Sequence, residues 1–344
     1  MPKSVFVVVM DGITLGHPCC AEHNCKIPLS SSRDRYCPEH TSKNDECVVD
    51  SCGRPVRDGK RTCDNPVHQE VERINCERGQ SRFQLQERMK RSQVAHPNDG
   101  IAEERNLFEV VDEEDEELLE VDEQGNVTAT EGLASENMTL VPTVTATPKK
   151  RVRARFGRKR THNEQILVAP CGMILARETF YGAEAIGTCA VSLEDSLEVL
   201  IIIFHHQEFI KRTFQINEQM PNHIFFDNNC SLAKHVKNDP DFKDVGLSVD
   251  VFHFNCKHSQ KDIFCQMNCN PALFPELLSE DGKGWYFNSS IAEQTNVWLG
   301  GFHAIVREML VDRYNFFLDE MIILRNRMTH AKLAREGHCP MYRT

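Results

Sequence analysis

Between residues 20 and 68 the chain repeats one arrangement of thiols and imidazoles, and that arrangement limits what it can fold into. Cys20, Cys25, Cys37 and His40 are separated by four, eleven and two residues; Cys47, Cys52, Cys63 and His68 by four, ten and four. Each set offers three thiolates and one imidazole, the number and chemistry that close a tetrahedral structural zinc site. The intervening residues are polar and rich in Pro, Gly, Asp and Lys, too poor in apolar groups to form a core unaided. Metal binding therefore has to supply the folding energy. Spacing alone leaves the final ligands open. Cys19 adjoins Cys20, His17 and His23 lie close by, Cys76 can replace His68, and the two sets can interleave.

A disulfide framework is the alternative for a chain with 15 cysteines, but it requires an oxidising compartment. Lys3 and the short apolar run Val5 to Met10 do not make a secretory leader, so a reducing compartment is expected. The net charge of −11 conceals two opposite blocks. Asp99 to Glu123 holds thirteen acidic residues and one basic residue, Arg105, and reads as a solvated, disordered segment. A Thr-, Val- and Ala-rich stretch follows, and then Lys149-Lys150-Arg151, Arg153, Arg155 and Arg158-Lys159-Arg160. Such a basic block reads as a nuclear import signal or as a contact with nucleic-acid backbone. A membrane span is not expected: the apolar run Leu200 to Phe204 is too short.

From His162 onward the pattern is globular. Strand-like runs occupy residues 166–185, His223 to Asp227 and Ser248 to Phe254, and Val5 to Met10 makes a further strand ahead of Asp11-Gly12. A core helix is expected through Phe209. A long amphipathic helix, with room for a bend, is expected from Phe302 to Leu324, where apolar residues recur at helical intervals. Strands alternating with helices predict an α/β architecture with a mixed sheet.

Asp11 and Asp227 each end a strand-like run, and Glu293 opens the C-terminal helical region. Carboxylates suit hard divalent ions, so these three are candidate catalytic ligands for Mg²⁺ acting on a phosphodiester. As a purely structural reading, the two aspartates end strands and Glu293 caps a helix. A third thiol and imidazole set, His253, Cys256, His258, Cys265 and Cys269, can supply four zinc ligands, for instance Cys256, His258, Cys265 and Cys269. Cys230 reads as a buried structural thiol. No dinucleotide-binding, Walker A or nucleophile-elbow motif is present.

The paired cysteine sets, Asp11-Gly12, the phrase His223-Ile-Phe-Phe-Asp227-Asn-Asn-Cys230 and Glu293-Gln294-Thr295-Asn296 together resemble fungal KDZ (Kyakuja–Dileera–Zisupton) transposases. Residues 17–68 are similar to the CxC6-like cysteine cluster carried by some of these proteins. The resemblance implies a ribonuclease H-like mixed sheet interrupted by a zinc-binding, cysteine-rich insertion. It also implies DNA as partner, the nucleus as location, and strand cleavage and transfer by Asp11, Asp227 and Glu293 with Mg²⁺. The family pattern has Asn-Phe after Asp-Gly where this chain has Ile13-Thr14, and Ile-Ala-Cys-Gln where it has Asn228-Asn229-Cys230-Ser231. An alternative is a catalytically inactive or truncated transposon-derived zinc protein acting in DNA or protein interaction. The expected layout is a first strand at 1–16, a double zinc insertion at 17–76, and a polar helical connection at 77–98. An acidic then basic disordered linker at 99–161 follows, then the rest of the core at 162–330 with a zinc insertion at 253–269, and a tail at 331–344. Oligomeric state is left open, a homo-oligomer included.

Overall fold

A computed structural model describes residues 5–95, 118–121, 127–129, 152–181, 193–215 and 219–338, except 257, 260, 280, 282 and 283. Side chains of residues 81–95, 118–121, 127–129 and 193–202 lie outside that description. The chain divides into a unit formed by residues 1–17 with 161–344 and a second unit spanning residues 18–160.

In chain order the elements are β1 (Val7–Ile13), β2 (Pro18–Cys19), α1 (Pro66–Ala95), β3 (Leu118–Val121), β4 (Val127–Ala129), β5 (Val152–Arg155) and β6 (Lys159–Arg160). Then come β7 (Asn163–Val168), β8 (Ile174–Phe180), α2 (Leu193–Gln215), β9 (His223–Phe225), α3 (Asn229–His235) and β10 (Gly246–Ser248). The C-terminal part is helical: α4 (Val251–Cys256), α5 (Ile263–Asn268), α6 (Ile291–Gly300), α7 (His303–Val306) and α8 (Val311–Arg335).

The first unit is built on a five-stranded sheet in the order β10-β9-β1-β7-β8. β7 runs antiparallel to β1 and β8 antiparallel to β7, while β9 is parallel to β1 and β10 to β9. The sheet is mixed, as the sequence predicts. β1 begins Val-Val-Val-Met with all four side chains buried because apolar clusters cover both faces. Strand alternation sends Val7 and Val9 to one face and Val8 and Met10 to the other. The first face packs with Phe225, Ala292, Leu299, Tyr314 and Leu318, drawn from β9, α6 and α8. The second packs with Ile210, Ile224, Phe226 and Leu232, drawn from α2, β9 and its exit, and α3.

Gly12 is required by crowding. A Cβ there would stand 2.2 Å from Gln165 Nε2 and 2.9 Å from Asn163 Nδ2, both on neighbouring β7. Asn326 pins α8 to the sheet edge: its Oδ1 accepts from Ile174 N at 2.9 Å and its Nδ2 donates to Ile174 O at 2.7 Å.

The second unit holds the paired cysteine sets. Between Cys20 and Cys47 its buried residues are Cys25, Leu29 and Cys37 alone. A small apolar cluster of Val48, Val49, Val71, Ala154 and Phe156 surrounds Cys47 and Cys63.

Four expectations are corrected. The basic half of the proposed 99–161 linker is structured from Val152: β5 pairs with β3, and β6 with β2. Ala154 and Phe156 bury, and the Arg155 and Phe156 carbonyls accept from Arg35 and Arg61. Residues 99–117, 122–126 and 130–151 of that stretch lie outside the described residues. The strand expected at 248–254 stops at Ser248. Asp250 Oδ1 accepts from Phe252 N and His253 N and so starts α4 instead. The helix expected from Phe302 is broken at Leu310, where the backbone is extended ahead of α8. The helical connection expected at 77–98 begins earlier, as part of α1 from Pro66. Among the described residues no helix is long and apolar enough to cross a membrane.

Candidate metal centres and carboxylate site

A tetrahedral zinc with about 2.3 Å bonds to sulfur and 2.0–2.1 Å to nitrogen requires sulfur–sulfur edges of about 3.8 Å and sulfur–nitrogen edges of about 3.6 Å. In the first set Cys25 Sγ and Cys37 Sγ are 3.8 Å apart, and His40 Nδ1 lies 3.6 Å from Cys20 Sγ and 3.2 Å from Cys37 Sγ. In the second, Cys52 Sγ and Cys63 Sγ are 3.8 Å apart, with His68 Nδ1 at 3.4 Å from Cys47 and 3.3 Å from Cys63. Each set gathers four ligand atoms within 4.8 Å of one another. The donors fit zinc in number, chemistry and spacing, and the two sets do not exchange members. Cys76 is exposed, and the Cys19 thiol, though buried, belongs to neither set.

Burial dominates one thiol in each set: it pushes Cys25 up to about 11 and Cys47 up to about 11. At Cys37 and Cys52 burial also pushes upward, but hydrogen bonds from His40 and Arg54 outweigh it and hold both below the usual thiol range. Metal-free, Cys25 and Cys47 stay neutral, so a zinc ion entering either set displaces protons.

The third set differs from its expected membership. Cys230, His258 and Cys265 converge, while Cys256 is exposed and outside the group. His258 Nδ1 lies 3.5 Å from Cys230 Sγ and 3.3 Å from Cys265 Sγ. Cys269 is fully buried in the same cluster beside Cys230, outside the trio whose ligand atoms lie within 4.8 Å of one another. Sequence reasoning missed Cys230 because it precedes His258 by 28 positions and rides on α3.

The carboxylates sit on the other side of α3's entry. In the parallel pair β1/β9, Val7, Val8 and Val9 face His223, Ile224 and Phe225. β9 ends at Phe225, so Asp227 lies two residues past it in the turn before α3, whereas Asp11 is still inside β1, paired with Ile166. Glu293 lies in the first turn of α6, where a carboxylate is favoured by the helix N-terminus. Asn296, one turn further, donates Nδ2 to Asp11 Oδ2 at 2.8 Å, while Gly12 N donates to Asp11 Oδ1 at 2.8 Å.

His253 stands between the other two acids. Its Nδ1 lies 2.7 Å from Asp227 Oδ1 and 3.3 Å from Asp250 Oδ1, and its Nε2 lies 3.4 Å from Glu293 Oε1. Asp11, Asp227 and Glu293 are not among the groups whose ligand atoms all approach within 4.8 Å. One imidazole ring separates Asp227 from Glu293. His253 was read from sequence as a spare zinc ligand; its place among carboxylates follows from the α4 start that Asp250 imposes.

No curated protein and no solved structure matches the chain. One family model matches residues 9–74, from β1 into α1, and its description is "CxC6 like cysteine cluster associated with KDZ transposases". The matched span contains Asp11-Gly12 and all eight ligands of the two paired sets. Residues 9–74 thus carry a CxC6-like cysteine cluster of the kind associated with KDZ transposases.

Proposed function

We propose that the chain is a transposon-derived zinc protein. Its mixed sheet is a ribonuclease H-like core that cuts and joins DNA strands through Asp11, Asp227 and Glu293. The observation carrying this reading is that His253 reaches both Asp227 and Glu293 while Asn296, on the same helix as Glu293, donates to Asp11, so the three acids share one region of the sheet unit. The sheet order supports it too: an antiparallel β1-β7-β8 meander has two strands parallel to β1 on its other side. Asp11, Asp227 and Glu293 are the residues that would hold Mg²⁺, a hard ion suited to their oxygens. When bound, the ion supplies Lewis-acid stabilisation of charge on the phosphate. Asn296 and the Gly12 amide orient Asp11 through its two oxygens, and His253 holds Asp227 and Glu293 on either side of its ring.

DNA is the proposed partner. Arg35, Lys43, Arg155, Arg158 and Lys159 line a cavity of about 490 Å³ in the zinc unit together with Glu22, Glu46 and Asp50, Lys43 being paired with Glu22; the excess of cations suits phosphate contact. Nuclear import is proposed for Lys149-Lys150-Arg151 and its continuation into β5 and β6.

The alternative is a zinc-held interaction protein without turnover. It is favoured by Asn296 and His253, which occupy the carboxylate oxygens. The test is nicking of DNA carrying the flanking element's ends, with Mg²⁺ and the zinc-loaded chain. Mg²⁺-dependent nicking that falls roughly a hundredfold or more in Asp227→Asn supports the enzyme. Nicking absent from the wild type, or unchanged in Asp227→Asn, rejects it in favour of the interaction protein.

A further inference from the structure

Three thiols of the sheet unit, Cys230, Cys265 and Cys269, share one buried cluster whose other buried member is Val249. They come from α3, α5 and the residue that caps α5. Buried cysteines commonly serve as small hydrophobes, and that role needs no imidazole. Here His258 turns Nδ1 to within 3.5 Å of Cys230 Sγ and 3.3 Å of Cys265 Sγ. His40 and His68 present the same nitrogen to the paired sets, at similar distances.

The other nitrogen of His258 has a defined partner. Nε2 lies 3.0 Å from the backbone carbonyl oxygen of Asp227. A ring that ligates through Nδ1 carries its proton on Nε2, and a carbonyl is the partner that fixes this tautomer and the ring's orientation. We infer that Cys230, His258, Cys265 and Cys269 are the four ligands of a third structural zinc site, and that His258 makes zinc bound there fix the backbone at Asp227.

Cys230, His258 and Cys265 already gather within 4.8 Å of one another, and Cys269, outside that trio but buried in the same cluster, completes a Cys₃His set, the composition of the paired sites, when its thiol turns in. Cys230 Sγ and Cys265 Sγ are 2.9 Å apart, inside the zinc edge of about 3.8 Å, so these two sulfurs part as the ion enters. Cys230 follows Asp227 by three positions, at the start of α3. The site thus holds the Asp227 turn twice, through the chain at Cys230 and through the His258 ring. This second half matters for catalysis only if the carboxylate reading above is right; the zinc site itself stands apart from it.

The test counts metal and follows backbone protection in the full chain, without reference to nicking. Elemental analysis of protein prepared with zinc should give three ions per chain, one for each converging set. Cys265→Ser should give two, and Cys256→Ser should still give three because Cys256 is exposed and outside the set. In Cys265→Ser, hydrogen exchange across residues 226–232 should accelerate roughly tenfold or more, as expected when a local unit loses its restraint. Protection of β1 and β7 should persist, which shows that the sheet remains folded. Two zinc ions in the wild type, or a Cys230–Cys265 disulfide found by mass, overturns the site. Loss of zinc with unchanged exchange around Asp227 overturns the coupling. Absence of nicking, by contrast, rejects only the enzyme reading and leaves both zinc outcomes intact.

Discussion

Replacing Cys37 by serine tests whether the first paired set folds around its metal. Cys37 is fully buried, 3.8 Å from Cys25 Sγ and 3.2 Å from His40 Nδ1. Its own amide also donates to Cys20 Sγ at 3.4 Å. Structural zinc contributes about 10–16 kcal/mol to folding small modules, so one ligand of four is worth about 2.5–4 kcal/mol. At 1.4 kcal/mol per decade, that predicts zinc affinity lower by roughly two to three orders of magnitude. Leu29 is the only buried residue besides the cysteines between Cys20 and Cys47, so nothing else there can hold the segment folded. Competition against a chromophoric chelator should therefore show one zinc leaving early, with new proteolytic cuts between residues 20 and 40. The second set shares no ligand with the first and should keep its ion. Unchanged affinity would remove Cys37 from the ligand set; simultaneous loss from both sets would mean that their ligands interleave.

Other consequences follow from the same coordinates. Because burial raises the Cys25 and Cys47 thiols to about 11, both are protonated in the metal-free protein at neutral pH. Zinc binding releases those protons, so acid favours the empty form. With one such thiol in each set, log affinity should fall by at least about one per pH unit on acidification, measured by chelator competition between pH 7.5 and 5.5; a flat profile contradicts it. Asn326→Ala strands the buried N–H and C=O of Ile174, at about 1–3 kcal/mol for each group. Urea unfolding followed by Trp285 and Trp298 fluorescence should show the sheet unit less stable by about 2–5 kcal/mol, and a loss below about 0.5 kcal/mol refutes the pin. Gly12→Ala drives a methyl group into Gln165 and Asn163 and should cost about 1–3 kcal/mol in the same assay; a neutral effect would show that those amides move freely.

The two paired zinc sets were legible residue by residue because each closes within a short loop. Ligand spacing there is a local property, and polar filler without apolar content has few other ways to fold. Strands at both expected places, Val5 to Met10 and His223 to Asp227, were legible too, since β-branched and aromatic runs declare burial on both faces. Their ends were not: β1 runs on through Asp11 to Ile13 and β9 stops at Phe225, short of Asp227. The basic block was misread as linker, because nothing in Arg-rich sequence announces that Ala154 and Phe156 pack against the zinc unit.

By itself, then, the sequence determined two Cys and His sets spaced for metal and a mixed sheet; the strand-end placement expected of the aspartates is corrected, since Asp11 lies inside β1 and Asp227 in the turn beyond β9. Only the tertiary structure decided that Cys230 replaces Cys256, that Asn296 ties Asp11 to the helix bearing Glu293, and that His253 lies between Asp227 and Glu293. The reason is distance along the chain. A knuckle's ligands are fixed by a few backbone turns, whereas a parallel strand register and a thiol pair 35 residues apart exist only once both faces of the sheet are packed.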